Sequence, residues 1–235
     1  MLPHEFWQQV YPPASFQLEG RHNDRFPATL RDGRQILLPI RPLPDGKRAL
    51  ASLIINQASF AVQEAIAEGL AAELSPLGPE LIVGLPTLGL TVASAVARKL
   101  GHARYIPLGT SRKYWYDDDL SVPLSSITSP SHSKRLYVDP RMLPLLENSR
   151  VALVDDVTSS GVSMAAGIAL LAACGVEPVA LGVAMLQTER WKSRLTAVGE
   201  RWPERMRAVF KTPTLVLQSD ATWAVSNDLD FGQGK

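Results

Sequence analysis

From Leu53 to Leu74 apolar side chains return every fourth position, at Ile54, Ala58, Val62, Ile66 and Leu70, with Ile55 and Ala65 beside them. That period predicts a helix over 53–74, stopped by Ser75-Pro-Leu-Gly-Pro79. Beyond it, short apolar runs alternate with amphipathic stretches. Leu81-Ile-Val83 predicts a buried strand. Leu88 to Leu100 predicts a helix with Val92, Ala95, Val96 and Leu100 inward, Arg98 and Lys99 in its last turn, and Gly101 closing it. Arg104 to Leu108, Leu136 to Val138, Val151 to Val154 and Val179 to Leu186 read as strands, and Val162 to Cys174 as a helix. Strand and helix in alternation predict an α/β fold, a mostly parallel twisted sheet flanked by helices.

The two ends read differently. Phe26 to Leu30 and Gln35 to Arg41 flank Asp32-Gly33, a tight-turn signal, and predict a β-hairpin within a Pro-rich, charged segment. After the core, Glu189 to Arg201 reads as a charged helix, and Arg207 to Lys211 and Thr214 to Gln218 as extended pieces. Residues 109–135 form a long polar stretch without periodicity. The division expected is 1–50 as an N-terminal extension, 51–187 as the core and 188–235 as a C-terminal helix and extended segment. Extended pieces from both ends are expected to meet in a small β-rich subdomain.

Composition narrows the function classes. In 235 residues, 46% are hydrophobic and 20% charged, as in an ordinary globular chain. The net charge of +1 offers no basic field for nucleic acid or an acidic membrane. The single cysteine, Cys174, excludes an intrachain disulfide and reads as a small buried hydrophobe. Four scattered histidines and one cysteine give no zinc spacing. With no signal-peptide pattern and no 18-residue apolar run, a cytoplasmic location is expected.

The chemistry concentrates in Val151-Ala-Leu-Val-Asp-Asp-Val-Thr-Ser-Ser-Gly-Val-Ser163. A strand runs into paired carboxylates, Asp155 and Asp156; then come Val157 and a small, hydroxyl-rich loop, Thr158, Ser159, Ser160, Gly161, Val162 and Ser163, which opens a helix. Two adjacent carboxylates accept hydrogen bonds from neighbouring ribose hydroxyls. Backbone N–H groups at a helix start cradle a phosphate. A receiver domain also pairs aspartates after a strand, but it needs a later Asp, and none occurs between Asp156 and Asp220. A second loop, Gly84-Leu85-Pro86-Thr87-Leu88-Gly89-Leu90-Thr91, also joins strand to helix. It nearly spells a P-loop, but Leu90 replaces the lysine that ATP phosphates require, which disfavours an ATPase.

The 13-residue segment resembles the phosphoribosyl-pyrophosphate (PRPP) motif of the type I phosphoribosyltransferases. The resemblance is strong over about residues 80–187. It implies the type I phosphoribosyltransferase fold, with a hood built by the terminal segments. It also implies displacement of pyrophosphate from C1 of PRPP by a ring nitrogen of a nucleobase. Asp155 and Asp156 would orient the ribose hydroxyls and contact Mg²⁺ only indirectly, through substrate or water. Thr158 to Ser163 would hold the 5′-phosphate, and the loop of Leu85, Pro86, Thr87, Leu88 and Gly89 the diphosphate. Arg112 and Lys113, at the root of a mobile loop, would meet the departing pyrophosphate. The Tyr114-Trp115-Tyr116 run either shields the closed site or packs at a subunit interface, and Asp117 to Asp119 reads as solvated surface. Lys134 and Arg135 have no assigned role.

In the resembling 6-oxopurine enzymes an Asp stands at the place of Ser159. Its absence favours adenine-, xanthine- or orotate-like relatives over the hypoxanthine-guanine class. Base contacts would come from the hood, with Trp191 and Trp223 as candidates. The alternative is a non-catalytic PRPP-sensing regulator, although residues 1–50 are too short for a winged-helix DNA-binding domain. The cofactor implied is Mg²⁺; the partners are PRPP, pyrophosphate and a nucleobase, with no nucleic acid and no membrane. A homodimer is expected by analogy with the family.

Overall fold

The computed structural model describes residues 1–124 and 134–226. The polar stretch expected over 109–135 therefore lies partly outside the described residues, at 125–133. Two sheets form the body. The core sheet contains β4 (Leu81–Gly84), β5 (Ile106–Pro107), β8 (Val151–Thr158), β9 (Ala180–Gln187) and β10 (Met206–Thr212), in the order β10-β9-β8-β4-β5 and parallel throughout. The period of two decides its layering. Ala152 and Val154 pack with α1 (Phe60–Leu74) and α2 (Gly89–Lys99) on one face. Val151 and Leu153 pack with α4 (Val162–Ala173) and α5 (Arg190–Val198) on the other. Each fully buried Val or Leu there contributes about 1.5–3 kcal/mol.

The second sheet is antiparallel, in the order β1 (Arg25–Thr29), β2 (Gln35–Pro42), β3 (Arg48–Ala51), β11 (Thr214–Leu217) and β12 (Trp223–Val225). His22 and Trp223 exchange backbone hydrogen bonds of 2.8 and 2.7 Å, which curl the last strand back toward the segment before β1. This is the hood expected from the two ends of the chain.

Four features differ from the expectation. Arg207 to Lys211 is not in the hood: it lies in β10, the edge strand of the core sheet, and only Pro213 separates it from β11. Leu136 to Val138 is not in the core sheet either. β7 (Arg135–Tyr137) pairs antiparallel with β6 (Ser121–Pro123) as a separate ribbon, and Arg135 pins it by donating to Ser121 Oγ and O. A one-turn helix, α3 (Leu143–Leu146), follows that ribbon. The first long helix begins at Phe60, not Leu53, because Ser59 Oγ accepts from Val62 N (3.3 Å) and caps it. Ile55 still reaches the core, from a 3₁₀ turn before the cap. Cys174, finally, is only partly buried, at the end of α4; burial still pushes its thiol pKa up. Among the described residues no helix is long and apolar enough to cross a membrane.

Candidate active site

β8 carries the acid pair beyond its predicted end, so Asp155 and Asp156 sit within the ladder, with Asp155 registered against Val183 of β9. Asp155 is 5% exposed. Its Oδ1 accepts a 2.9 Å bond from the Asp156 backbone N–H. Burial first, and the charge of Asp156 second, hold the Asp155 carboxyl well above the ordinary carboxylate range. Burial also raises Asp156. Like charges this close resist joint ionisation, so the two carboxyls lose their protons in separate steps.

The loop after β8 turns sharply at Gly161, whose φ of 77° is left-handed, and α4 starts there. A Cβ at Gly161 would come within 3.2 Å of the Trp191 carbonyl oxygen, so α5 backs the loop directly. Asp155, Val157, Thr158, Ser159, Ser160, Gly161, Val162 and Ser163 all line one cavity of about 220 Å³. The N–H groups of Ser159, Ser160 and Gly161 meet no acceptor among the described residues. They are free for an anion at the start of the helix.

The second loop reaches the acid pair through Gly89. A Cβ there would stand 2.5 Å from Asp155 Oδ1 and 2.9 Å from Asp155 Cα, so only glycine lets the start of α2 lie against the acid pair. No strand or helix pattern signals this contact; the glycine itself is the only trace. The peptide between Pro86 and Thr87 is cis. The N–H groups of Thr87, Leu88 and Gly89 meet no acceptor among the described residues. Leu85 differs from the expectation. Its side chain is fully buried and its N–H donates to Val154 O at 2.9 Å, so it extends the strand ladder and has no N–H left for a phosphate. Pro86 has none by constitution.

Arg112 and Lys113 are exposed, and no hydrogen bond or ion pair joins either to the acid pair or the two loops. Arg112 instead forms a two-pronged contact with Asp118, at 2.7 and 3.2 Å. The acidic run is thus partly employed: Asp118 holds Arg112, and Asp117 caps a short turn by accepting from Asp119 N. Tyr114, Trp115 and Tyr116 stack edge to face, and Tyr116 rests on Tyr137 of β7. Tyr114 is 92% exposed.

Trp191 and Trp223 are both buried in apolar clusters. A different set of polar groups sits where hood meets core. Gln187, at the end of β9, donates to Ala51 O (2.8 Å), and Thr212 of β10 is its registered neighbour. Thr212 Oγ1 and Ser52 Oγ, next to Ala51 in the chain, are buried without a hydrogen-bond partner. Thr188, next to Gln187, takes a left-handed φ of 64°. A larger cavity of about 800 Å³, between β1 and the β10–β11 crossing, shares no residue with the acid pair or either loop.

Two phosphate-type loops meeting on a buried acid pair have a counterpart among known proteins: the phosphoribosyl transferase domain matches residues 51–200. The chain belongs to that family. A curated relative, the hypoxanthine/guanine phosphoribosyltransferase of Methanosarcina mazei, is 28% identical over 138 residues; the match covers 59% of this chain and 64% of the relative. The chain thus spans less than two thirds of that family member's length. The fold is also that of the family. APRTase from Giardia lamblia, solved with 9-deazaadenine, superposes with a TM-score of 0.59 at 21% identity, over 74% of this chain and 93% of its own. Adenine phosphoribosyltransferase from Trypanosoma brucei, solved with AMP, pyrophosphate and ribose-5-phosphate, gives 0.50 at 20% identity, over 64% of each chain.

Proposed function

We propose that this protein transfers 5-phosphoribose from PRPP to a purine base and releases pyrophosphate. The observation that carries this is the contact at Gly89, which brings the diphosphate-type loop and the 5′-phosphate-type loop onto one acid pair. A molecule with phosphates at both ends of a ribose fits that arrangement. The Trypanosoma brucei relative was solved with ribose-5-phosphate and pyrophosphate, the two pieces into which such a molecule divides.

Breaking the C1–O bond builds positive charge on the ribose and negative charge on the departing diphosphate, while the base nitrogen forms the new bond to C1 and the base gives up its N–H proton to the departing diphosphate or to water. The acid pair places negative charge beneath the ribose and accepts hydrogen bonds from its neighbouring hydroxyls. Ser159, Ser160 and Gly161 hold the 5′-phosphate through their N–H groups, and Thr87, Leu88 and Gly89 hold the diphosphate. Arg112 leaves Asp118 for the departing pyrophosphate, with Lys113 beside it. These fixed donors work because they are oriented before the charge develops. Among the described residues no cluster of three His, Cys, Asp or Glu side chains is placed to hold a metal. Asp155 and Asp156 would hold Mg²⁺ at one remove, through substrate or water. When bound, Mg²⁺ neutralises diphosphate charge.

For the base, Ser52, Gln187 and Thr212 are the polar groups we propose for its edge, since two of them hold buried hydroxyls without partners. Ser159 brings no carboxylate into the loop, which favours adenine or xanthine over hypoxanthine or guanine. We further propose a cytoplasmic homodimer, with exposed aromatics such as Phe60 and Tyr114 as surface that a second copy would cover; sedimentation tests it. The deciding experiment is PRPP- and Mg²⁺-dependent pyrophosphate release across adenine, xanthine, hypoxanthine, guanine, uracil and orotate. Asp155→Asn/Asp156→Asn is the control. Turnover with a purine, lost in the control, is expected. PRPP binding without turnover on any base would instead mark a sensor, and no PRPP binding would end the reading.

A further inference from the structure

A groove beside the phosphate loop takes no part in the reaction described. Its volume is about 520 Å³. Ser160 and Ala165 form one wall, and Arg190, Arg194 and Ala197 of α5 the other. Ser160 also lines the 220 Å³ phosphate cavity, so the two spaces share a boundary. Arg190 and Arg194 are four positions apart on α5 and therefore lie on one face, one turn apart. Like charges at that spacing destabilise a helix unless an anion joins them. None does so within the chain: neither guanidinium has a hydrogen bond or ion pair among the described residues. The neighbouring acid, Glu189, is taken by Lys192. Between the two arginines, Trp191 is buried with its main chain against Gly161, which fixes α5 to the phosphate loop. The helix that carries the arginines is thus fixed beside the loop before any ligand arrives.

PRPP has a single phosphate on its 5′ side, and its diphosphate, on C1, goes to the loop at Thr87 to Gly89. The groove is left over. We infer that it is a second anion subsite, which takes the outer phosphoryl group of a nucleoside 5′-diphosphate or 5′-triphosphate whose first phosphate occupies the loop. Such a nucleotide competes with PRPP. The inference rests on reading the loop as the 5′-phosphate site.

The test is calorimetric titration of the full chain with AMP against ADP and GMP against GDP, with ribose 5-phosphate as a further probe. At low salt, a charge-assisted contact at a half-open site is expected to make each diphosphate about tenfold tighter than its monophosphate. In Arg190→Ala/Arg194→Ala the ratio falls to about one, while the monophosphate stays within about twofold. Arg190→Lys/Arg194→Lys keeps part of the preference, since charge without the planar fork remains. Equal binding of mono- and diphosphate by the wild type overturns the inference, as does a diphosphate preference that survives the double alanine variant. If none of the monophosphates binds, the reading of the loop itself has failed and the subsite falls with it.

Discussion

Replacing Gly89 with alanine tests the contact on which the site depends. The added Cβ would stand 2.9 Å from Asp155 Cα, against 3.4 Å for ordinary van der Waals contact. The shortfall, 3.4 − 2.9, is 0.5 Å. A rotamer change of Asp155 relieves the 2.5 Å clash with Oδ1 but not the clash with its Cα. Either α2 or β8 must therefore move by about half an ångström. Overpacking of this kind costs about 1–3 kcal/mol. At about 2–4 °C per kcal/mol for a chain of this length, Tm falls by about 2–12 °C. Activity falls further than folding explains. A 1 Å misplacement costs about a hundredfold, so half of that should lower kcat/KM for PRPP by about tenfold or more. Pyrophosphate release is measured at a temperature where both proteins are folded by circular dichroism. Gly109→Ala is the control, since a Cβ there meets nothing within 4 Å and its φ is ordinary. If Gly89→Ala keeps kcat/KM for PRPP within about threefold of wild type, the loop does not need to touch the acid pair and the proposed site is wrong.

Three further outcomes follow from the same geometry. The Asp155 carboxyl is raised in the folded state from 3.8, so the native chain holds a proton that the unfolded chain has lost; stability from this group is complete below about pH 4 and declines as pH rises through the raised value. Tm measured from pH 4 to 9 should show this decline superposed on the other titrations, and Asp155→Asn should flatten it; an unchanged profile sinks the assignment. Asp118→Asn releases Arg112 from an exposed pair worth less than about 1 kcal/mol, so KM for PRPP should fall by less than about fivefold, and a rise would show that Arg112 does not serve the diphosphate. Ser59→Ala removes the cap of α1 at about 1 kcal/mol, lowering Tm by about 2–4 °C with kcat unchanged; a loss of kcat would mean that α1 reaches the site.

The strand, acid pair, loop and helix of residues 151–173 were legible because every step there is local: an apolar run, two charges, small residues and a helical period follow one another in the chain. The β1–β2 hairpin was legible for the same reason, through Asp32-Gly33. β10 was not. Its residues alternate as an edge strand of either sheet would, and only its pairing with β9 decides which sheet it joins. β7 resembles a core strand in composition, but Arg135 ties it to Ser121 instead. The start of α1 was misread because Ile54 and Ile55 fit the helical period while Ser59 offers a better start. In the site, the loss of Leu85 and the pairing of Arg112 with Asp118 both depend on hydrogen bonds, which no periodicity records. Gln187 reaches Ala51 and pairs with Thr212 from segments far apart in the chain, and only the fold brings these together.

The way the hood is assembled also sets an order of events during synthesis. β1, β2 and β3 leave the ribosome early, yet β3 has its second neighbour only in β11. The whole core sheet is made in between, and a single residue, Pro213, then carries the chain from β10 into β11. Until that moment β3 presents an unpaired edge, a surface prone to mispairing with other chains. The nascent protein should therefore depend on chaperones until the last hood strands emerge. Truncation before Thr214 should yield a chain whose core helices form but which aggregates through β3.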